Sequence, residues 1–372
     1  MVEVKSIESK KDLKKFIEFP FSLYEGNQCW VPPLIFDELN TLRKDKNPAF
    51  EFCEAKYWLA YKDDKIVGRI AGIINNKSIE IWNEKSVRFG WIDFIDDEEV
   101  SKALIAEVEK WAKERGFEKV HGPLGFTDMD YEGMLIEGFD ELGTLATIYN
   151  HPYYPKHLEK LGYEKDVDWM EYEVKVPDVF PEKVERIAKT IMKRYNLKML
   201  SVKKKKELLP YVPSIFGLIN EGYKDLYGFV TLTDKQIQVY TKQYFGFIIP
   251  DYVPVVLNEK DEVVAFGITM PSLSKALQKT KGKLFPLGFM HILRSMRNNN
   301  LVDFYLTAVK KEYQDKGVNS ILMYEMNKVY WKYKIKKVET NPELELNSKI
   351  QAQWRFYENR QHKRRRCFKK HI

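Results

Sequence analysis

The sequence predicts an α/β (α+β) protein in which one fold is used twice, each copy a mixed, mostly antiparallel sheet flanked by helices. Three observations carry this expectation. Two strand–charged turn–strand hairpins, "YWLAYKDDKIVGRIAGIIN" at 57–75 and "YVPVVLNEKDEVVAFGITM" at 252–270, are a whole domain apart. Each is followed by the same succession of strand, helix, strand, helix and strand. The first helix after each hairpin carries its apolar residues on a 3.6-residue period.

The elements follow in order. In the first half, the hairpin's second run contains the small residues Gly68 and Gly72, and "VRFGWIDFI" (87–95) reads as the next strand. A helix with Val100, Ala103, Leu104, Val108, Trp111 and Ala112 on one face is stopped by Gly116. "FEKVHGPL", "YYPKHLEKLGY" and "WMEYEVKV" then read as strand, helix and strand. The seam lies at 177–196, where "PDVFPEKVERIAKTIMKRYN" predicts a helix from Pro181 to Asn196. This divides the chain into 1–176, a linker helix at 177–196, and 197–372.

The second half repeats the pattern. Ala265 and Gly267 are the small residues of its hairpin, and "LVDFYLTAV" (301–309) is the next strand. The following helix has Val318, Ile321, Leu322, Met326, Val329 and Tyr330 on one face. "IKKVETNP", "NSKIQAQWRFYENR" and "RRRCFKK" complete the strand–helix–strand ending. Each half thus contains one parallel strand pair joined by a crossover helix inside an otherwise antiparallel sheet. Residues 272–300 are a basic, amphipathic insertion, expected to be a lid or packing helix, with a membrane-surface helix as the alternative.

Composition narrows the class. Hydrophobic residues make up 44% of the 372 positions, enough for ordinary globular cores. No run of about 20 apolar residues predicts a spanning helix. The first residues lack the apolar region of a signal peptide. Three well-separated cysteines (Cys29, Cys53, Cys367) argue against a disulfide framework and for a cytoplasmic location. Neither they nor the six histidines have metal-ligand spacing, so no metal is expected. A net charge of +7 suits anionic small molecules and permits nucleic acid. The lysines at 203–206 read as a solvated face. The clump "HKRRRCFKK" reads as a final strand with alternately exposed Arg and Lys, with tRNA phosphates as the alternative partner.

One segment points to chemistry. "VKKEYQDKGVNSIL" (309–322) ends a strand, turns at a glycine and starts a helix. The first N–H groups of a helix are unpaired and the helix dipole adds partial positive charge there, so a phosphate fits if no side chain blocks its approach. Gly317 removes the block, and Gln314, Lys316, Asn319 and Ser320 place polar or positive atoms around it.

The segment resembles motif A of the GNAT superfamily of acyl-CoA-dependent N-acyltransferases, V-x-P-x-x-[QR]-x-x-G-x-[GA]. Val309, Gln314 and Gly317 match in register. Lys311 stands where proline is usual, and Asn319 where glycine or alanine is usual. The resemblance implies acetyl-CoA or another acyl-CoA as co-substrate, with Gln314, Asp315, Lys316, Gly317, Val318, Asn319 and Ser320 around its pyrophosphate. It also implies that the backbone of Leu306, Thr307, Ala308 and Val309 pairs with the pantetheine arm. Downstream, "NSKIQAQWRFYENR" is similar to a second GNAT pattern. By that likeness Asn347 contacts the pantetheine or shapes the acyl site, and Tyr357 is the general acid that protonates the leaving thiolate. The activity implied is N-acyl transfer, acetyl being the first group to expect, to a small-molecule or peptide amine.

The first half departs from this pattern. Its corresponding turn, "IDFIDDEEVSKAL", puts Asp96, Asp97, Glu98 and Glu99 where a pyrophosphate would lie, and like charges repel at close range. Leu158 stands near the position of the tyrosine. This half therefore reads as a GNAT-like domain lacking a CoA motif. It carries instead a long loop at 122–154. There Asp128 and Asp130, with Glu132, Glu137 and Asp140, are candidates to receive a cationic amine. Tyr149 and Asn150, with Tyr153 and Tyr154, are candidates to line a cleft between the halves. An ordered surface loop with solvated acids is the plain alternative. Glu339, Glu343 and Glu345 lie close in sequence to the expected site of the general base. Two other functions stay open: an aminoacyl-tRNA-dependent transferase of the peptidoglycan cross-bridge type, and a non-catalytic acyl-CoA or ligand-binding protein.

Overall fold

Among the described residues, fourteen strands join into one continuous sheet. The computed structural model describes residues 1–179 and 182–372. In the first half the strands are β1 (Glu3–Ser6), β2 (Cys53–Lys62), β3 (Lys65–Asn75), β4 (Ser86–Phe94), β5 (Lys119–Gly122), β6 (Met134–Glu137) and β7 (Glu164–Lys175). The second half supplies β8 (Lys198–Met199), β9 (Val255–Leu257), β10 (Val263–Pro271), β11 (Leu301–Val309), β12 (Lys337–Thr340), β13 (Glu343–Leu344) and β14 (Asn359–His371). The first-half helices are α1 (Lys10–Leu23), α2 (Ile35–Thr41), α3 (Asn76–Trp82), α4 (Glu98–Glu114) and α5 (Tyr153–Lys160). Then follow α6 (Glu182–Arg194), α7 (Val212–Tyr223), α8 (Asp234–Tyr244), α9 (Ser274–Thr280), α10 (Gly288–Arg297), α11 (Asn319–Lys332) and α12 (Ser348–Gln351).

Both predicted hairpins form. β2 and β3 meet across Asp63 and Asp64, which both have positive φ (50° and 60°), as a two-residue turn matched to the strand twist requires. β9 and β10 also pair antiparallel, across a longer turn at 258–262 in which Asp261 has positive φ (63°). β4 runs parallel to β5, and β11 parallel to β12, with α4 and α11 as the crossovers. The apolar stripe of α4 (Val100, Leu104, Val108, Trp111) is buried against β2–β4. That of α11 (Ile321, Leu322, Met326, Tyr330) is buried in the second core together with Ala188 and Ile191 of α6. The seam helix therefore packs into the second half. Pro181, expected as its first residue, lies outside the described residues.

The two halves exchange their closing strands. The main order is β1-β2-β3-β4-β5-β14-β7-β12-β11-β10-β9-β8. β14, the last strand of the second half, inserts between β5 and β7 of the first. β7 in turn stands between β14 and β12. The two pair from Asn359↔Val174 to Lys369↔Glu164.

This position keeps the expected alternation but lessens the exposure: Arg364 and Arg366 are only partly exposed, and Lys363 and Arg365 between them are buried. A strand with neighbours on both edges and one packed face covers the cations on that face, and these must be paired. Lys363 is 1% exposed and Arg365 fully buried. Lys363 meets Glu339 (2.5 Å) and Glu171 (3.1 Å), Arg365 binds Glu171, and Arg364 and Arg366 share Asp168. Burial pushes the Glu171 carboxyl up, but Arg365 and Lys363 outweigh it and hold it at about 2. The clump is internal structure, and the main support for a tRNA partner goes with it.

A second difference concerns 347–357. The expected helix is a single α-turn, α12, continued as a 3₁₀ turn over Ala352–Phe356. The tighter winding changes the direction in which the later side chains point.

Candidate active site

The glycine turn is built as its residue types require. β11 ends at Val309, a short 3₁₀ turn follows, and the chain passes through Asp315 (φ 58°) and Gly317 (φ 76°) before α11 begins. A Cβ on Gly317 would stand 2.6 Å from Ile191 Cδ1, so both backbone and space select glycine. Val318 occupies the N-cap of α11 and supplies no side-chain cap. The Gln314 amide donates to Val309 O (3.0 Å), and Ser320 Oγ donates to Gly317 O (2.7 Å). Asn319 reaches Gln353 Oε1 (2.7 Å). Lys316 lies over the rings of Tyr195 and Tyr313. Asp315 puts a carboxylate on the same turn, balanced by Lys349 at 3.0 Å.

Beside this turn, β11 splays from β12. The two strands pair only from Leu301↔Lys337 to Phe304↔Thr340. Beyond that point the N–H and C=O of Thr307 face the Tyr223 hydroxyl (3.3 and 2.9 Å), at the end of α7. Leu306 and Ala308 register with Ile268 and Phe266 of β10. Strand alternation directs their backbone groups toward β10, so Thr307 presents the open edge.

A cavity of about 1740 Å³ begins at this splay. Its lining includes Leu306, Thr307, Ala308 and Val309 of β11, then Gln314, Asp315, Gly317, Val318 and Asn319 of the turn, and Asn347. From the first half it receives Asp128, Asp130, Glu132 and Asp166. Aromatic and aliphatic side chains, among them Phe216, Phe229, Phe245, Ile268 and Met270, form the rest of its wall. The cofactor-site and amine-site candidates from opposite halves therefore share one space.

The acids in it are tuned by burial. Asp130 accepts the Thr127 N–H (3.0 Å) and is pushed up to about 6. Asp128 accepts the Val230 N–H (3.1 Å), and its carboxyl is raised by burial. Glu132, hydrogen-bonded to Asp128, is raised further by burial and by that neighbour's charge. Glu343, just past β12, accepts the Trp354 indole N–H on one oxygen (2.8 Å). Its other oxygen has no hydrogen-bond partner among the described residues, and burial pushes it up to about 8.

Other candidates lie elsewhere. Tyr357 is outside the cavity lining. It packs beside Trp354 in a separate small void with Phe304 and Tyr330, and its hydroxyl accepts from Asn327 (3.2 Å). The 3₁₀ turn before it is the reason. Asn347 caps α12 through the Ile350 N–H while facing the cavity. Tyr149 donates to Phe139 O, and buried Asn150 bridges both backbone groups of Leu135, so these two hold their own loop together. Lys316 and Ser320 belong to the turn but are outside the cavity lining. Sequence reasoning missed Tyr223, which carries no motif. It also missed that His121, Asp166 and Cys367, from adjacent strands β5, β7 and β14, bring potential ligand atoms within 4.8 Å of one another. The Tyr227 hydroxyl joins this cluster, donating to Asp166 at 2.7 Å and lying 3.1 Å from His121 Nδ1.

The comparisons agree with this architecture. No protein-family model matches the chain. The chain is 28% identical to protein YghO of Escherichia coli (strain K12) over 376 residues, spanning 99% of this chain and 95% of that one. It is 25% identical to a bacterial ceramide synthase of Caulobacter vibrioides over 327 residues, spanning 87% and 84%. Among solved structures, a tandem GNAT protein from the clavulanic acid biosynthesis pathway superposes with a TM-score of 0.58 at 10% identity, covering 100% of this chain and 98% of that one. A GCN5-related N-acetyltransferase from Anabaena variabilis gives 0.51 at 10% identity, covering 99% and 72%. With the repeated hairpins, the paired crossovers, the splayed strand and these neighbours in agreement, the chain is a tandem protein of the GNAT fold.

Proposed function

We propose that this chain is an acyl-CoA-dependent N-acyltransferase whose acceptor is a long-chain amine, of the amino-alcohol kind that becomes N-acylated in a ceramide. The cavity carries this reading. It connects a glycine turn and an open strand edge to half-buried carboxylates, and it walls both with apolar side chains. Its volume exceeds the roughly 300–1,000 Å³ of pockets for drug-sized ligands, which suits a cofactor arm together with an aliphatic chain. The name of the Caulobacter vibrioides relative, a bacterial ceramide synthase, supports the same acceptor class.

The turn suits a pyrophosphate: it is an exposed glycine bend at the start of a 14-residue helix, and its two carboxylates are paired, Asp315 with Lys349 and Glu312 with Lys310. Gln314, Gly317, Val318 and Asn319 would hold the pyrophosphate there, and the Thr307 backbone would take the pantetheine amides in place of the Tyr223 hydroxyl that it binds without ligand. Acyl-CoA, when bound, supplies an acyl group activated as a thioester.

The residues of the chain then handle the amine. An aliphatic amine arrives as an ammonium ion; Asp130 and the Asp128–Glu132 pair, in which Glu132 holds the shared proton, offer it negative charge and acceptor oxygens. Its nitrogen attacks only after losing a proton. Glu343 is the base: one oxygen is oriented by Trp354, the other is free, and a carboxyl raised to about 8 is well matched to removing a proton near neutral pH. Tyr223, with its hydroxyl at the open edge of β11, takes over the proton-donor role that the resemblance gives to Tyr357.

Incubation of the protein with palmitoyl-CoA or acetyl-CoA and a long-chain amino alcohol, followed by mass spectrometry, tests this. The expected result is an amide product with release of free CoA, and little product from short polar amines. Absence of any amide product, together with no heat on titrating either thioester, would overturn the reading.

A further inference from the structure

The basic insertion at 272–300 is not absorbed by the cavity's chemistry. From Ser272 to Val302 the sequence contains no Asp or Glu, and it carries Lys275, Lys279, Lys281, Lys283, Arg294 and Arg297. All six cations are exposed. Among the described residues, none of them has an acidic partner within salt-bridge distance, whereas the clustered cations of the last strand do.

The apolar residues beside them are also uncovered. Phe285 is 79% exposed, Leu287 64% and Met290 56%, with Phe289 and Leu293 exposed as well. Phe285 and Phe289 lie with ring centroids 6.3 Å apart, so this is one patch. Large uncovered apolar side chains ringed by polar ones mark an interaction surface.

The patch sits on a fixed platform. Ile292 of α10 is buried with Leu277 of α9 and Leu273 just before it, and with Val31 and Leu34 of the first half. Ser295 and Asn299 both donate to Ser272 O, tying the end of α10 to the start of the insertion. Gln278 donates to Gln28 O and Trp30 O, and the Ile35 N–H donates to Gly282 O. On the inner side, Leu34, Met270 and Tyr305 of this same packed group line the cavity.

We propose that the α9–α10 insertion docks the protein on the surface of an anionic lipid bilayer. Phe285, Leu287, Phe289, Met290 and Leu293 enter the headgroup–acyl boundary, while the unpaired lysines and arginines meet lipid phosphates. An exposed apolar face flanked by Lys and Arg is the composition that lies in such an interface, and the unpaired positive charge selects a bilayer over a neutral protein partner. The cavity wall lies directly behind the docked surface. The inference stands on the surface alone, whatever the cavity binds.

Cosedimentation of the full chain with vesicles tests it without any acyl transfer. Vesicles of phosphatidylcholine containing about a quarter phosphatidylglycerol should carry the protein down, with binding that weakens as salt is raised; pure phosphatidylcholine should carry little. Lys279→Gln, Lys281→Gln and Lys283→Gln together should weaken binding about a hundredfold. Phe285→Ser, Phe289→Ser and Leu293→Ser together should weaken it at least about tenfold. All six positions are exposed, so near-UV circular dichroism and the unfolding midpoint should match the parent. No binding to anionic vesicles, or equal binding by parent and both variants, overturns the proposal. So does a parent dimer that the apolar variant splits without any vesicle binding, since the patch is then a contact between copies.

Discussion

The starts of α4 and α11 occupy the same place in two copies of one fold and have opposite chemistry. At α4 the Asp97 carboxylate caps the Glu99 N–H (2.9 Å) and pairs with Lys62 (2.7 Å), while Asp96 engages His157 (3.0 Å). At α11 the cap residue is Val318, with no side-chain cap, and the chain reaches it through a left-handed glycine. The neighbouring strands differ as well. In the first half, α5 fills the space beside β4: the Phe94 N–H donates to Tyr154 Oη, Tyr153 Oη donates to Phe94 O, and Tyr154 stacks on the Phe94 ring at 4.2 Å. In the second half one hydroxyl, that of Tyr223, reaches the open edge of β11, and a cavity lies beyond it. The first half has thus closed both parts of the site, the anion cradle by charge and the groove by aromatic rings.

The predictions are ways to break or sharpen this contrast. The largest effect belongs to Glu343, which has no counterpart in the closed half. Glu343→Gln should lower kcat about a thousandfold with KM little changed, read in a steady-state assay. In the parent the base form accumulates as pH rises through about 8, so kcat/KM should climb over that range. The Gln variant should lose this limb and keep only the one set by the amine itself.

Next is the seam that makes the two halves one body. Arg365→Met leaves Glu171 buried with only Lys363, and should cost about 3 kcal/mol in urea unfolding. In the parent Glu171 is held at about 2, below its unfolded value near 4.5. Its contribution is therefore present above about 4.5 and lost as pH falls toward 2. Without Arg365 the folded value rises toward the unfolded one, so this acid-dependent contribution should shrink and its loss should be complete at higher pH.

Gly317→Glu installs the acidic character of the closed turn in the open one, adding strain at φ 76° and a clash with Ile191. Acyl-CoA affinity should fall about a hundredfold by calorimetry. The reverse change, Asp97→Gly, should create no second site, because Tyr153 and Tyr154 still fill the groove; stoichiometry should stay at one per chain. The smallest effect separates two tyrosines. Tyr223→Phe should reduce kcat about tenfold to a hundredfold. Tyr357→Phe should leave kcat nearly unchanged and cost about 1 kcal/mol of stability, through its lost contact with Asn327.

Much of the architecture was legible because its signals are local. Turn aspartates, a helix stopped by Gly116, apolar residues at a 3.6 period and a glycine before α11 each act within a few residues. Of the residues singled out in the sequence, Gly317, Gln314 and the acids Asp128 and Asp130 line one cavity. Tyr149 and Asn150 were misjudged because an exposed-looking loop hides its own hydrogen bonds. Tyr357 was misjudged because one 3₁₀ turn redirected it. The full burial of Lys363 and Arg365 was not foreseen, because a last strand reads as an edge until its neighbours are known.

By itself, then, the sequence determined two copies of one α/β fold, an open turn at Gly317 in one and an acidic turn at Asp97 in the other. Periodicity, turn chemistry and charge are properties of short segments. Only the tertiary structure decided that β7 and β14 change places, that Glu343 and Tyr223 stand at the splay, and that acids of one half face the strand edge of the other. Pairing between residues some 200 positions apart depends on which surfaces can be buried together, and no local pattern records that.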